Sequence, residues 1–358
     1  MGVLRGYIYK EFMKLFFIFE ALFLLIYLLV DFIEKIDNFA EAQVPTAEMI
    51  AFFYFKIPLI IMQMVPVAVM LSVIVMLCQM KKNNEITAIK SCGTSIFELS
   101  RPIIQLSICM AIISFLFSEL VVSQCNARSN EIWDTQVEKR EKNRLFVRKH
   151  IWYKGSNAIY WIRHFDASKQ VMKDISLCFF DDSFRLIKKI DAKRGRWLGK
   201  EWEIREGIIQ RGVKGGRFDV MHFDKIRLHL PERPEAFNKI AKRPEEMSYW
   251  QLRRYAEAIQ AEGYDAAEYL VDMHVKLAFP AISFVMALVG IPMVLRLTKG
   301  GTPLAVTFGI GLCFLYLVLL GLSRSLGLSG LLPPMLSAWL ANGVFSLSGI
   351  YAMMGAEY

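Results

Sequence analysis

The chain has 358 residues, 54% of them hydrophobic, and a positive mean hydropathy of +0.34. Six separate apolar runs near the ~20 residues needed to cross a bilayer argue against the buried helices of a large soluble protein. The net charge of +9 is confined: Cys125 to Tyr269 holds 30 Lys/Arg against 22 Asp/Glu, and the rest of the chain is close to neutral.

In chain order, the expected spans are Phe12–Val30, Ile57–Met80, Pro102–Val122, Leu277–Leu295, Pro303–Ser323 and Pro333–Met354. The first keeps Glu20 and the third ends on Glu119. The first run is too long for a secretory signal and lacks a small-residue cleavage site, so it is expected to stay as a span. Domain boundaries follow: 1–124 for three spans, 125–243 for a polar insert, 244–276 for a helical connector and 277–358 for three more spans. The short loops on one side carry Arg5, Lys10, Lys14, Lys81, Lys82, Lys90, Arg101, Arg296 and Lys299; the other side carries only Lys35, Lys56 and Arg324. By the positive-inside rule the first side is cytoplasmic, both termini are inside, and the insert is outside despite its charge, because long domains cross regardless of it.

Between spans two and three lies "KKNNEITAIKSCGTS". It is too polar for the membrane, yet Ile86 and Ile89 sit one helical turn apart, with Asn83 or Asn84 placed to cap the start and Gly93 the end. A capped cytoplasmic helix with a small apolar face suits docking in a partner's groove, anchored by Ile86 and Ile89, with Ala88 permitting close approach and Glu85 as the charged contact. An interfacial helix lying on the membrane is the other reading.

The insert alternates like β-structure. "HIWYKGSNAIYWIRHF" places Ile159 and Trp161 on one parity, and turn signals such as Asp181-Asp182 punctuate the stretch that follows. About eight short strands predict a sandwich, jelly roll or open barrel, with Trp152, Ile159, Trp161, Ile175, Leu177 and Phe179 as inward candidates. After Pro244 the period turns helical: Ser248 can cap a helix whose Leu252, Tyr255, Ala256 and Ile259 share a face, Gly263 ends it, and a second helix starts near Asp265.

Catalytic chemistry is absent from the sequence. There is no GxxxxGK[ST] phosphate loop, HExxH, GxSxG or CxxC, and the five His and six Cys are scattered, so no catalytic residue, metal site or nucleic-acid partner is expected. A disulfide between Cys125 and Cys178 stays open. Charges near the span ends carry more information, because a charge close to hydrocarbon must pair, reach water or mark a pathway. Asp31, Glu34, Lys35 and Asp37 gather after span one, Arg128 lies beyond span three and Arg324 ends span five.

Six fragments, in this order, resemble one family: "GVLRGYIYKEF", "DFIEKIDNF", "NNEITAIKSCGTS", "SELVVSQCN", "HIWYKGSNAIYWI" and "YLVDMHVKLAFPAISFVMALVGIPM". Together with the 3 + β + 3 layout they are similar to the LptF/LptG permeases of the lipopolysaccharide exporter, more to the LptG branch. The resemblance implies an α-helical integral membrane protein of six transmembrane helices with an inserted all-β periplasmic jelly-roll-like domain. It implies the inner membrane, an LptF-type partner in a heterodimer, an LptB ATPase dimer that binds the ATP and Mg, the partners LptC and LptA, and lipopolysaccharide as substrate, with no cofactor in this chain. Asn84, Glu85, Ile86, Ala88, Ile89 and Gly93 then form the ATPase-coupling helix. Lipid contacts would come from Asp31, Lys35, Arg128 and Arg324 at a charged rim, and from Trp152, Trp161 and Phe179 in an apolar trough. Enterobacterial members carry several lysines near the end of span one, where this chain has Asp31 and Asp37 beside Lys35. The outer-end charges point to spans one and five as the lateral gate. A lipid-modifying enzyme would need His, Asp or Glu clustered at one membrane depth, and a membrane-anchored scaffold leaves the short helix unexplained.

Overall fold

The computed structural model describes residues 2–93, 95–138, 147–154, 158–166, 170–181, 185–199, 201–213, 217–228, 230, 243–261, 265–297 and 301–355, without the side chains of residues 2, 147–154, 213, 217 and 218. The chain forms two compact units, one from Met1–Trp133 with Arg243–Tyr358 and the other from Asp134–Lys242. The first contains α1 (Gly2–Glu41), α2 (Thr46–Lys82), α3 (Glu85–Ser91), α4 (Ile96–Phe117), α5 (Ser123–Ile132), α6 (Tyr249–Ala261), α7 (Ala267–Arg296), α8 (Gly301–Leu328) and α9 (Pro334–Met354).

Five of these helical stretches are long and apolar enough to span a membrane: α1, α2, the run from α4 to Val137, α7 and α8. The expected sixth, α9, has 21 residues and no charged side chain, and carries the polar residues Ser337, Asn342, Ser346 and Ser348. That polarity has a use. Asn342 accepts a hydrogen bond from Tyr316 Oη at 2.8 Å and donates one to the Ala278 carbonyl at 2.8 Å, joining α8, α9 and α7 through a buried amide. A buried polar group in an apolar bundle is stable only when its bonds are made.

The centre of the bundle is α2 and α7, whose apolar stretches are two-thirds buried. Both carry two prolines inside the helix, Pro58 and Pro66 in one, Pro280 and Pro292 in the other; neighbouring helices let membrane helices tolerate such breaks. By contrast α1 and α8 leave broad apolar faces uncovered, including Phe17, Leu25, Leu29, Phe314, Leu317 and Leu322. The connector and the fourth span are not separate elements: α7 runs unbroken from Ala267.

The third helical run does not stop at Val122. It passes through a π-helical turn, Ser118–Val122, into α5 and a second such turn, Trp133–Val137, so the β unit begins at Asp134 rather than Cys125. The first turn aims Glu119 at the start of α6, where its carboxylate accepts from the Tyr249 backbone N–H at 2.7 Å. Ser248 and Gln251 complete a reciprocal capping box there, Ser248 Oγ accepting from Gln251 N and Gln251 Oε1 from Ser248 N. Leu252 and Ala256 are fully buried, as the periodicity predicts; Gly263 lies outside the described residues.

The second unit is a six-stranded antiparallel meander, β1 (Val147–Lys154), β2 (Ala158–Asp166), β3 (Val171–Phe180), β4 (Leu186–Trp197), β5 (Trp202–Val213) and β6 (Arg217–Leu228), in sequence order. Among the described residues the eight short strands anticipated are six longer ones, and no connection between those six crosses as in a Greek key. Pairing lapses between each pair of neighbours along one line through His150, Arg163, Asp174, Lys193, Glu206 and Asp224, and β3 and β4 shift register a second time at Phe179/Phe180. Asp174 and Glu206 there have φ of 51° and 53°, a left-handed conformation that costs a non-glycine residue of order 1 kcal/mol. Their carboxylates meet Arg163 at 3.6 Å and Lys193 at 3.0 Å.

Across this line the inward parity switches. In β2 it moves from Ala158, Tyr160 and Ile162 to Phe165, in β3 from Met172 to Ile175 and Leu177. A strict two-residue alternation cannot follow such a switch. Ile159 and Trp161 therefore stand on the face opposite the core, and the inward assignment of Trp161 is corrected. The six cysteines are free.

Two predictions follow from the β unit. At Gly207 a Cβ would lie 2.5 Å from the Asp191 carbonyl oxygen and 2.6 Å from the Phe223 ring. Gly207→Ala is expected to destabilise the unit by about 1–3 kcal/mol, seen as faster trypsin cleavage within it. Glu203, 5% exposed in its side chain, is gripped by Lys225 at 2.7 Å and by Arg205; these cations hold its carboxyl below the ordinary carboxylate range. Its stabilisation is present above the unfolded-state pKa of about 4.3 and fades as pH falls through the lower folded value. Glu203→Gln should thus lower the melting temperature at pH 7, and the difference from wild type should shrink below about pH 4.

Candidate functional site

The short helix α3 departs from its sequence reading in two respects, its N-cap and the direction of its isoleucines. Asn84 occupies the N-cap position with φ of 59° and makes no side-chain cap bond; Asn83 instead donates to Glu85 Oε1 at 3.1 Å. Gly93, with φ of 80°, terminates the helix as expected, its N–H on the Lys90 carbonyl. Ile86 is 7% exposed and belongs to the core that contains Ile8, Phe12, Leu77 and Met80, while Ile89 packs at the edge of that core. These isoleucines anchor α3 to its own bundle instead of reaching for a partner.

The outward face is therefore Asn84, Thr87, Ala88 and Ser91, all exposed. It is small and polar, shaped for close approach. Glu85, half-buried, accepts from Tyr7 Oη of α1 at 3.4 Å. On the other flank, Lys81 Nζ donates to the carbonyls of Leu297 at 2.6 Å and of Val294 and Leu295 at 3.4 Å. Those are orphan carbonyls at the C-terminal end of α7, where a cation also favours the helix dipole. The segment around α3 is thus tied to the first helix of one half and the first long helix of the other.

At the far end of α1 the charges assemble as a triad. Asp31, 6% exposed, accepts from Lys35 one turn on and from Lys56 of α2, the latter at 2.7 and 2.8 Å. Both ammonium groups lie over aromatic rings: Lys35 is 5.4 Å from the Phe52 centroid and 5.7 Å from that of Trp133, and Lys56 is 5.5 Å from Phe52. Phe39 and Phe53 close the aromatic cluster. Lys56, which sequence reasoning used only for orientation, completes this site; a span-entry lysine opposite a span-exit aspartate was the available signal.

The other two rim cations are also matched. Arg324 of α8 makes a two-pronged bond to Asp272 of α7, Nε to Oδ1 at 2.9 Å and Nη2 to Oδ2 at 3.1 Å. Arg128 pairs with Glu131 at 2.6 Å on an exposed surface. Lys35, Arg128 and Arg324 are therefore not a rim of free positive charge. Glu20, buried in α1, has no hydrogen-bond partner for either oxygen among the described residues.

In the β unit Phe179 is half-buried against the core, whereas Trp161 lines a groove of about 340 Å³ on the other face with Asp174, Asp191, Lys193, Glu206 and Ile208. Trp152 pairs with Trp161 in backbone register; its side chain lies outside the described residues. No group of three or more His, Cys, Asp or Glu placed to hold a metal occurs among the described residues.

Residues 6–354 match the family described as lipopolysaccharide export system permease LptF/LptG. The chain belongs to that family. It is 20% identical to the lipopolysaccharide export system permease protein LptG of Escherichia coli strain K12, over 99% of this chain and 98% of that protein. It is also 20% identical to the LptG of Haemophilus influenzae over 80% of each. As a member of this permease family with five long apolar helices, it is a multi-pass inner-membrane protein.

A charge left unpaired at the edge of hydrocarbon is costly. Asp31→Asn leaves two lysines without their acid, and is expected to lower stability in detergent by about 3 kcal/mol, measured as a drop in the thermal unfolding midpoint. Asp31→Glu should recover most of it.

Proposed function

We propose that this chain is the LptG-type subunit of a lipopolysaccharide exporter, driven by ATP hydrolysed in a separate subunit. It pairs with an LptF-type chain, and its α1 and α8, with their uncovered apolar faces, form the lateral gate of a shared cavity. The polar helix α9 is its sixth span. Both termini and α3 lie in the cytoplasm, and the β unit stands in the periplasm, passing lipid on to LptC and LptA. An LptB dimer, which holds the ATP and Mg, docks on α3.

The observation that carries this reading is the construction of α3. One face is anchored in the bundle by Ile86 and the other presents Thr87, Ala88 and Ser91, so a push on the exposed face is delivered to the membrane helices and not absorbed by a hinge. The matched rim gives the lipid-contact role to the Asp31–Lys35–Lys56 triad, which keeps one net positive charge.

The test is co-purification of LptB with this chain and its LptF-type partner. Ala88→Trp, on the exposed face, should abolish retention of LptB without changing the thermal midpoint. Glu85→Lys should weaken it, both by reversing a charge and by releasing Tyr7. Retention of LptB at wild-type levels by both variants would remove α3 from the docking site, and its absence with wild type would remove the ATPase partnership.

A further inference from the structure

One cross-strand row of the β unit carries only basic residues, on every strand. The register aligns Lys149, His164, Lys173, Arg194, Arg205 and Lys225. No other row that crosses the six strands does this. The next on the same face reads Val147, Asp166, Val171, Arg196, Glu203 and Arg227, a mixture of both signs with apolar residues. Lys173, Arg194, Arg205 and Lys225 are exposed, and His164 is half-buried.

The row borders the line where the inward parity switches. There two consecutive residues of each strand face out, as Arg163 and His164 do between buried Ile162 and Phe165, or Lys173 and Asp174 between buried Met172 and Ile175. Two outward residues in succession set the row along the crest of a bend. Like charges directly opposite each other in a sheet repel, and the row contains three such contacts in series, Lys173 with Arg194, Arg194 with Arg205 and Arg205 with Lys225. Among the described residues Lys173 and Arg194 have no ion pair, and Arg205 and Lys225 share one acid, Glu203. The acids beside the row do not relieve it: Asp174 is held by Arg163 and Glu206 by Lys193.

The shape of this charge selects its partner. Neighbouring strands lie about 4.8 Å apart, so the row is a narrow line of basic groups about 24 Å long. A flat anionic surface would meet the exposed acids Asp174, Glu206 and Asp224 together with the cations, and would gain little. A rod laid along the row meets the cations alone. On an α-helix an acid once per turn recurs every ~5.4 Å, which drifts by about 2 Å over the four exposed cations, within the reach of lysine and arginine side chains. An extended segment repeats its same-side carboxylates every ~6.6 Å and falls out of step sooner. We propose that Lys173, Arg194, Arg205 and Lys225 dock an acidic helix of a partner protein, lying across the strands with Glu or Asp once per turn. The inference does not rest on the export reading.

The experiment measures fluorescence anisotropy with the full chain, co-purified with its partner subunits in phosphatidylcholine nanodiscs. The probe is a labelled helical peptide about 18 residues long, enough to cross the row, with a glutamate once per turn on one face. A control peptide has the same composition with its glutamates spread around the helix, and phosphatidylglycerol vesicles serve as competitor. The one-faced peptide should bind roughly tenfold more tightly than the control, the scale of four exposed ion pairs, and should weaken as salt rises. In the double variant Lys173→Gln with Arg194→Gln the two peptides should bind nearly alike, while the swap Lys173→Arg with Arg194→Lys should keep the preference. Lys188→Gln with Arg211→Gln removes the same charge from another row and should leave the preference unchanged. The Lys173→Gln, Arg194→Gln variant should melt at or above wild type, since a repulsion has gone.

Equal binding of the two peptides to wild type overturns the proposal, because net charge alone would then attract them. A preference that survives Lys173→Gln with Arg194→Gln, or that is lost equally with Lys188→Gln and Arg211→Gln, overturns the assignment to this row. Displacement of the one-faced peptide by phosphatidylglycerol vesicles as readily as by unlabelled peptide overturns the helix in favour of a membrane surface. None of these outcomes touches the export reading, which stands or falls on retention of LptB.

Discussion

A charge carried into or beside hydrocarbon must bring its partner with it, and the membrane unit is organised around that constraint. Asp31 is shared by two lysines from two helices, and both ammonium groups are further sheltered by Phe52. Asp272 and Arg324 meet in the planar geometry that suits guanidinium best. Each pair joins different helices, so the electrostatic requirement also fixes packing: α1 to α2 in the first case and α7 to α8 in the second. Where no acid is at hand the backbone serves, as when Lys81 takes the last carbonyls of α7. The amide of Asn342 applies the same rule to a neutral group.

The β unit answers a different constraint. Its sheet buries one face, and a meander with strict alternation would twist without a local bend. The line from His150 to Asp224 interrupts pairing in every strand and reverses which residues point inward. Strain at Asp174 and Glu206 is offset by their ion pairs to adjacent strands, and Gly207 beside Glu206 leaves the space that Phe223 and the Asp191 carbonyl occupy. Bends of this kind give a sheet curvature that alternation alone does not supply.

Much of this was readable from sequence, and the failures have a common form. Apolar run length located the long helices, and the Ser248-x-x-Gln251 spacing located the α6 cap, because these are local properties of the chain. Pairings between distant positions were not readable. The Lys56 partner of Asp31 lies 25 residues away across a helical hairpin, and Asp272 lies 52 residues before Arg324, so cations that looked free in sequence are matched in the fold. Trp161 was placed inward because alternation was carried through a stretch where the strand stops alternating. Ile86 reads as a partner anchor in sequence because a lone amphipathic turn does not say which of two surfaces it faces. Sequence gave the helix an apolar side; only the fold shows that its own bundle covers that side.

That last difference bears on how the permease works. A coupling element anchored only by its loops would yield when pushed, and the push would be lost in bending. Here Ile86 sits in the same core as Ile8 and Phe12 of α1, Glu85 is bonded to Tyr7 of that helix, and Lys81 holds the end of α7. On the proposed coupling role, a displacement of α3 would reach one of the two helices whose apolar faces are left uncovered through α1, and Asp272 with Arg324 on the other, α8, through α7. The ion pairs Asp31 with its lysines and Asp272 with Arg324 are the far ends of those two connections. Because breaking such a pair leaves an uncompensated charge, they favour discrete arrangements over gradual ones.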